Sequence, residues 1–104
     1  MAKTFKNFIG GSWVAPSTGT WFENRNPADT RDLIGRFPDS GAADVQAAVR
    51  SAKRGFEIWR RTPAPARGDG LRRLGDLLTT HKEELADGMT REMGKVLAET
   101  RGDV

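Results

Sequence analysis

The sequence contains no cysteine, no tyrosine and only one histidine, His81, among its 104 residues. Without cysteine it can form no disulfide, no thiolate metal site and no covalent intermediate on a cysteine sulfur. One histidine is too few for a zinc site, which needs several nitrogen or sulfur ligands. No apolar run reaches the length of a signal peptide or a membrane span, so we expect a cytoplasmic chain without a membrane partner.

Aromatic residues are also scarce, and the mean hydropathy of −0.60 predicts a thin core. The formal net charge is only +3, but the basic residues are unevenly placed. They cluster in one stretch: Arg50, Lys53, Arg54, Arg60, Arg61, Arg67, Arg72 and Arg73. Such a cluster can attract nucleic acid, so a small basic nucleic-acid-binding module is one alternative function. We favour solvated helix faces and therefore no nucleic-acid partner.

The first third of the chain has the pattern of short strands joined by turns, over about residues 5–37. Gly10-Gly11 lies between two apolar pairs and suits a tight hairpin turn, which requires positive φ angles. The segment 15–20, "APSTGT", has the residues of a second turn. A third strand should end at Asn26-Pro27, because a residue before proline favours extended geometry. "DLIGRF" predicts a fourth strand.

The rest of the chain is predicted to be helical, because apolar residues recur at helical spacing from Val45 onwards. We expect Ser40 or Asp39 to cap the first helix, and Thr80 with Glu83 to form a capping box at the third. Gly94 occupies the position of a left-handed C-terminal cap. On the third helix, Met89 and Met93 are expected in the core. The predicted helices span about residues 41–61, 66–79, 81–93 and 96–104.

Gly94-Lys95 invites comparison with a phosphate-binding loop, which has the pattern G-x-x-x-x-G-K-[ST]. Here Gly88 and Gly94 are separated by five residues, and Val96 stands where serine or threonine is required. The segment also follows a helix instead of a strand. No motif in the chain supplies a nucleophile, a general base or a cofactor cradle, so we predict neither catalytic nor cofactor-binding residues within it.

The order of the elements carries more information than any one motif. "NFIGGSWV", "FENRNPAD", "DVQAAVRSAKRGFEIWR" and "REMGK" follow one another along the chain, with Arg67 between the last two. This succession resembles the N-terminal segment of the NAD(P)-dependent aldehyde dehydrogenase superfamily, collinearly from about Phe5 to Val104. The resemblance implies an α/β fold in which residues 1–104 form an incomplete N-terminal part of the cofactor-binding domain, without the catalytic domain.

The resemblance also implies an activity for the complete enzyme, which would oxidise an aldehyde to a carboxylic acid with NAD or NADP. A cysteine thiolate attacks the aldehyde, a hydride passes to the cofactor, and the thioester is hydrolysed. The residues for these steps lie further along in family members, so we expect this chain alone to be inactive and to bind no cofactor. The complete enzyme would be a homodimer or homotetramer. "NPAD" and "TREMGK" are similar to members that oxidise semialdehydes, including 2-oxoglutarate semialdehyde.

One site of the family has matching positions in this sequence. Some members bind a structural monovalent cation, and the resemblance implies ligands at Asn24 and Arg25, through backbone carbonyls, and at Glu92, through its carboxylate. Oxygen ligands suit a hard cation. The alternative is that Glu92 forms only a local cap or salt bridge. A further alternative for the whole chain is a truncated subunit that acts as an interaction partner of complete chains.

Overall fold

A computed structural model describes residues 2–104, which form four short strands followed by four helices. The predicted order of elements is confirmed throughout. The strands are β1 (Asn7–Ile9), β2 (Ser12–Val14), β3 (Trp21–Arg25) and β4 (Leu33–Pro38). The helices are α1 (Ala42–Trp59), α2 (Ala64–Thr80), α3 (Lys82–Met93) and α4 (Leu97–Asp103). β1 pairs with β2, and β3 pairs with β4.

The β1–β2 hairpin forms where the glycine pair predicted it. Gly10 and Gly11 have φ angles of 61° and 81°, so both occupy the left-handed region that a two-residue hairpin turn requires. The strands are antiparallel, and Phe8 is the register partner of Trp13. Their rings lie 4.9 Å apart between centroids, which adds a cross-strand aromatic contact to the ladder.

Gly35 in β4 allows the N-terminal segment to approach this strand closely. The amide of Phe5 donates to the carbonyl of Arg36 at 2.8 Å, and the amide of Arg36 donates to Lys3 at 2.9 Å. The Phe5 ring stacks on Phe37 with centroids 4.5 Å apart. An ideal Cβ at Gly35 would lie 2.6 Å from Cε2 of Phe5, so only glycine fits here without displacement of the ring.

The first turn of α1 is held by Asp44, and the predicted cap at Ser40 or Asp39 is wrong. The N-cap is Gly41, whose amide donates to the Asp44 carboxylate at 2.9 Å. Ser40 instead accepts a hydrogen bond from the side chain of Asn7. Gly41 has no side chain, so the acid at the third helical position supplies the cap hydrogen bond alone.

The predicted capping box at the start of α3 is also wrong. The Thr80 hydroxyl donates backwards to the carbonyl of Asp76 at 2.9 Å, and the N-cap residue is His81, without a side-chain cap bond. A threonine in a last helical turn can satisfy its hydroxyl on the carbonyl four residues earlier, and that bond competes with capping. Glu83 pairs instead with Arg101 of α4 at 2.8 Å.

The buried part of the helical region lies between α3 and α4. Ala86 and Thr100 are completely buried, and the hydroxyls of Thr90 and Thr100 lie 2.8 Å apart. The prediction of a methionine core is wrong for Met93, which is 57% exposed. The C-cap prediction is confirmed, because Gly94 has a φ of 72° and ends α3 in the left-handed conformation.

The chain divides into two compact units. The first contains the residues up to Asn24 together with Gly35–Thr62, and the second contains Arg25–Ile34 and Pro63–Val104. Within each unit, large apolar side chains remain exposed, on α1 in the first and on α2 in the second. No helix of the described residues is both long enough and apolar enough to cross a membrane.

Candidate functional site

The loop that follows β3 is closed by its own polar groups. The side-chain oxygen of Asn26 accepts a hydrogen bond from the amide of Ala28 at 2.9 Å, which is the geometry of an Asx turn. The amide of Asn26 donates to the carbonyl of Asp32 at 3.0 Å, so the two ends of the loop are joined. Asparagine followed by proline favours this turn, because proline fixes φ and asparagine can bond the backbone two residues on.

The same loop is fastened to the end of α3 by an ion pair. The Arg91 guanidinium donates through Nη2 and Nε to the two Asp32 carboxylate oxygens, at 2.6 and 2.9 Å. The side-chain NH2 group of Asn26 also donates to this carboxylate, at 3.3 Å. The hydrogen bond from Arg91 is the main reason that the pKa of Asp32 is lowered, and Asn26 adds to the effect.

Gly94 completes this contact between the loop and the helix end. An ideal Cβ at Gly94 would lie 3.3 Å from Cγ of Pro27 and 3.8 Å from Ala28. The glycine therefore meets two requirements at once, a left-handed backbone and close packing against the Asn-Pro turn. The segment from Arg25 to Ile34 and the last turn of α3 are thus held together by polar and apolar contacts.

The three residues predicted to bind a cation lie at the end of β3 and in the last turn of α3. Asn24, which is half-buried, and Arg25, which is exposed, are the last two residues of β3. Glu92 is exposed in the last turn of α3, and each of the three residues takes part in at least one interaction. The Arg25 guanidinium donates to the carbonyl of Thr30 at 3.0 Å.

The resemblance implies a donor set of backbone oxygens and one carboxylate at these positions. Residues 2–104 hold no cluster of three or more histidine, cysteine, aspartate or glutamate side chains that could ligate a metal. Asp32 lies in the loop after β3, and both of its carboxylate oxygens accept hydrogen bonds from Arg91.

Lys95, the second residue of the glycine-lysine pair, is engaged with acids. Its Nζ lies 2.6 Å from Asp103 and 3.9 Å from Glu99, both on α4. The hydrogen bond to Asp103 is the main reason that the pKa of Lys95 is raised. Lys95 thus anchors the short last helix, and its charge is balanced within the chain.

Three arginines of the basic cluster, Arg60, Arg61 and Arg72, also pair with acids. Arg60 and Arg61 lie 3.4 and 3.5 Å from Glu57 on α1, and all three side chains are exposed. On α2, Arg72 pairs with Asp69 one helical turn earlier. These are surface pairs of the i,i+3 and i,i+4 type, so they agree with solvated helix faces and give no support to the nucleic-acid alternative.

Two acids that organise the structure were not singled out by the sequence patterns for that role. Asp44 is only 8% exposed, and it accepts the Ser17 amide at 2.8 Å and the Ser17 hydroxyl at 2.9 Å. Asp32 meets Arg91 across 59 residues. The charge of Asp44 near a helix start is visible in the sequence, but no local signal identifies either distant partner.

A family model described as "Aldehyde dehydrogenase family" matches residues 13–104. Alpha-ketoglutaric semialdehyde dehydrogenase of Bacillus subtilis (strain 168) is 39% identical over 100 residues, which is 96% of this chain and 20% of that protein. Malonate-semialdehyde dehydrogenase 2 of Geobacillus thermodenitrificans (strain NG80-2) is 44% identical over 102 residues, which is 98% of this chain and 21% of that protein.

Among solved structures, the NAD-dependent aldehyde dehydrogenase from Sinorhizobium meliloti superposes with a TM-score of 0.93 at 27% identity. The superposition covers 99% of this chain and 21% of that one. The chain belongs to the aldehyde dehydrogenase family. Its strands and helices have the fold of the N-terminal cofactor-binding region of these enzymes, as the resemblance implied, and it spans about a fifth of the length of the relatives it matches.

Proposed function

We propose that this chain builds the leading part of the cofactor-binding domain of an aldehyde dehydrogenase, and that residues 1–104 carry none of the chemistry. The complete enzyme would oxidise an aldehyde to a carboxylic acid with NAD or NADP. The observation that carries the proposal is the match of the family model to residues 13–104. The ion pairs of the described residues also support the proposal. Asp32, Lys95 and Glu83 each join one segment of the chain to another, which is a structural role.

The proposed substrate class is a semialdehyde. Two relatives, at 39% and 44% identity, are named for alpha-ketoglutaric and malonate semialdehydes. Both substrates carry a carboxylate in addition to the reacting aldehyde, so an acid group on the substrate is the common chemical feature. We further propose, from the family resemblance, a cytoplasmic homodimer or homotetramer for the complete enzyme, without a nucleic-acid partner.

A segment exchange tests this function directly. The matching segment of the Bacillus subtilis relative, 100 residues in the comparison, is replaced by residues 1–104 to give a protein that we call the chimera. We expect the chimera to fold and to reduce NAD or NADP in the presence of alpha-ketoglutaric semialdehyde. The matched control is the relative with the same segment deleted, which should be inactive. A folded chimera that is as inactive as the deletion would contradict the proposal.

The isolated chain provides the complementary test. Purified residues 1–104 are mixed with NAD or NADP and a semialdehyde, and the absorbance of the reduced cofactor is followed. We expect no reduction above background, because the chain holds no cysteine to serve as the nucleophile. Reduction that depends on the aldehyde would show that the chemistry does not lie outside these residues.

We also propose that Arg25, through its carbonyl, and Glu92, through its carboxylate, ligate a monovalent cation, with Asn24 as the third ligand. The support is the donor set, since backbone oxygens with one carboxylate suit such an ion. In the chimera, Glu92→Gln should weaken the response of the thermal midpoint to sodium or potassium. Glu84→Gln, on the same helix and 82% exposed, is the matched control. An unchanged salt response in Glu92→Gln would refute the cation site.

A further inference from the structure

An open cleft lies between the N-terminal segment and the first hairpin. Five residues line it: Lys3, Thr4, Phe5, Lys6 and Trp13. All five belong to the first compact unit, and the cleft has a volume of about 380 Å³. Small-molecule sites in proteins usually have volumes of about 300–1,000 Å³, so the cleft is large enough for one small ligand.

Phe5 is held in a fixed position in this cleft. Its amide donates to the carbonyl of Arg36 at 2.8 Å, and its own carbonyl accepts a hydrogen bond from the indole Nε1 of Trp21 at 2.9 Å. Its ring stacks on Phe37 with an angle of 11° between the two planes. A ligand that packs on Phe5 therefore meets a ring that is already ordered, which lowers the entropic cost of binding.

Trp13 supplies a second aromatic side chain to the cleft. The residue is 66% exposed, and its ring packs across the hairpin on Phe8 with centroids 4.9 Å apart. Most of its surface therefore remains accessible to a ligand. Phe5 and Trp13 together offer the type of surface on which planar aromatic groups stack.

Lys3 and Lys6 make the cleft positively charged. Both side chains are exposed, and no acid lines the cleft. Nζ of Lys3 lies 4.9 Å from the centroid of the Phe5 ring, so this ammonium group and the ring are close enough to contact one ligand. Among residues 2–104, neither lysine forms an ion pair with an acid, in contrast to Lys95, whose charge is balanced by Asp103.

We propose that this cleft binds a small ligand with an anionic group on an aromatic ring, namely an aromatic carboxylate or an aryl phosphate. The ring would pack on Phe5 and Trp13, and the anionic group would reach the ammonium groups of Lys3 and Lys6. A neutral ring would lose the attraction of both lysines, and an aliphatic anion would lose the stacking. The site is separate from aldehyde oxidation and does not depend on the proposed function.

A set of four probes tests the proposed ligand class on the chimera. Benzoate and phenyl phosphate carry both features, benzamide carries only the ring, and acetate carries only the charge. Binding is followed by saturation-transfer NMR at low ionic strength, because salt screens exposed charges. We expect both aromatic anions to bind more tightly than benzamide and acetate. The tighter of the two shows whether the site prefers a carboxylate or a phosphate.

Substitutions in the cleft locate the binding. Lys3→Gln and Lys6→Gln should each weaken benzoate about two- to fivefold, as expected for exposed ion pairs, and should leave benzamide unchanged. Lys53→Gln, at an exposed position of α1, is the matched control for the loss of charge. Trp13→Leu should weaken benzoate and benzamide alike, by roughly fivefold or more if stacking matches that of a nucleic-acid base. Trp59→Leu, at a residue that is 47% exposed, is the control for the loss of an indole.

Three results would overturn the inference. The first is equal affinity of the chimera for benzoate, benzamide and acetate, and the second is equal loss of benzoate binding in the cleft variants and their controls. The third is binding to residues 1–104 alone that is missing from the chimera, because the rest of the enzyme would then fill the cleft. The titration needs no catalytic activity, so an inactive chimera that binds benzoate through Lys3 and Trp13 would contradict the proposed function and support the cleft.

Discussion

Arg91 and Asp32 form a two-pronged ion pair that joins the turn of α3 nearest its C-terminus to the loop after β3. Both hydrogen bonds are short, at 2.6 and 2.9 Å, and the residues are 59 positions apart in the sequence. The planar guanidinium matches the geometry of the carboxylate, which makes this type of pair more specific than one formed by lysine. The ion pair is therefore the main polar connection by which the Asn-Pro loop is held.

The first prediction concerns this pair. In the chimera, Arg91→Lys and Asp32→Asn should each lower the thermal midpoint by several degrees, and the double variant should lose less than the sum of the two. Lysine keeps the charge but cannot form both bonds. The measurement is a double-mutant cycle, with Glu84→Gln as an exposed control on the same helix. If the loss in the double variant equals the sum of the losses in the two single variants, the two side chains do not act as a unit.

The second prediction concerns pH and Asp44. The pKa of Asp44 is lowered from 3.8, chiefly by the hydrogen bond from the Ser17 amide. A lowered pKa in the folded state means that this contribution to stability is complete above the pKa of the unfolded chain and is lost as the pH falls through the lower folded value. Asp44→Asn should therefore destabilise the chimera at neutral pH. The stability of this variant should also fall less steeply as the pH is lowered.

The urea midpoint of the chimera, followed from roughly pH 3 to 7, measures this effect. Asp76→Asn, at an exposed position of α2, is the control and should leave the pH profile unchanged. Ser17→Ala should destabilise less than Asp44→Asn, because the bond from the Ser17 amide remains. If the urea midpoint of Asp44→Asn changed with pH in parallel with that of the unsubstituted chimera, the role assigned to Asp44 would be wrong.

The third prediction concerns Gly35. A methyl group there would lie 2.6 Å from Cε2 of Phe5 and 2.9 Å from the carbonyl oxygen of Lys3. Gly35→Ala should therefore reduce the free energy of unfolding of the chimera by about 1–3 kcal/mol, as overpacking does. Gly68→Ala is the matched control, because its methyl group meets nothing within 4 Å and alanine favours a helix. Equal stability of the two variants would argue against the close approach.

The fourth prediction concerns the end of α3. Gly94 has a φ of 72°, which costs a residue with a side chain about 1–2 kcal/mol. Gly94→Val should destabilise by at least that amount, since its Cβ also comes within 3.3 Å of Pro27. Gly94→Asn should cost less, because asparagine tolerates the left-handed conformation. Equal thermal midpoints for Gly94→Val and Gly94→Asn would show that the backbone conformation at this position does not control the loss of stability.

Local signals in the sequence sufficed for the turns and the helix ends. Gly10-Gly11 adopts the predicted hairpin turn, Asn26-Pro27 ends β3, and Gly94 ends α3, because each conformation depends on the residue itself and its neighbours. The caps at Ser40 and Thr80 were predicted wrongly for the opposite reason. Each hydroxyl found a partner that a capping rule does not consider, Asn7 for Ser40 and a backbone carbonyl for Thr80.

For the candidate site, the resemblance pointed to two segments of the chain but not to the ion pair between Asp32 and Arg91. The resemblance singled out the Asn-Pro turn and the helix end near Glu92, and the structure brings that turn into contact with Gly94. The pairing of Asp32 with Arg91 was not predicted, because nothing local distinguishes this aspartate from the others nearby. The cation ligands Asn24, Arg25 and Glu92 stay a prediction.

By itself, the sequence determined which elements form and in what order, because spacing, turn residues and glycine conformation act over a few neighbouring positions. It also determined that residues 1–104 hold no cysteine nucleophile. Only the tertiary structure decided which charges pair over long distances in the sequence, as Asp32 does with Arg91, and which apolar faces are covered, since both depend on segments far apart in the chain. Leu71, Leu74 and Leu78 on α2 have the spacing of a core face, yet all three side chains remain exposed.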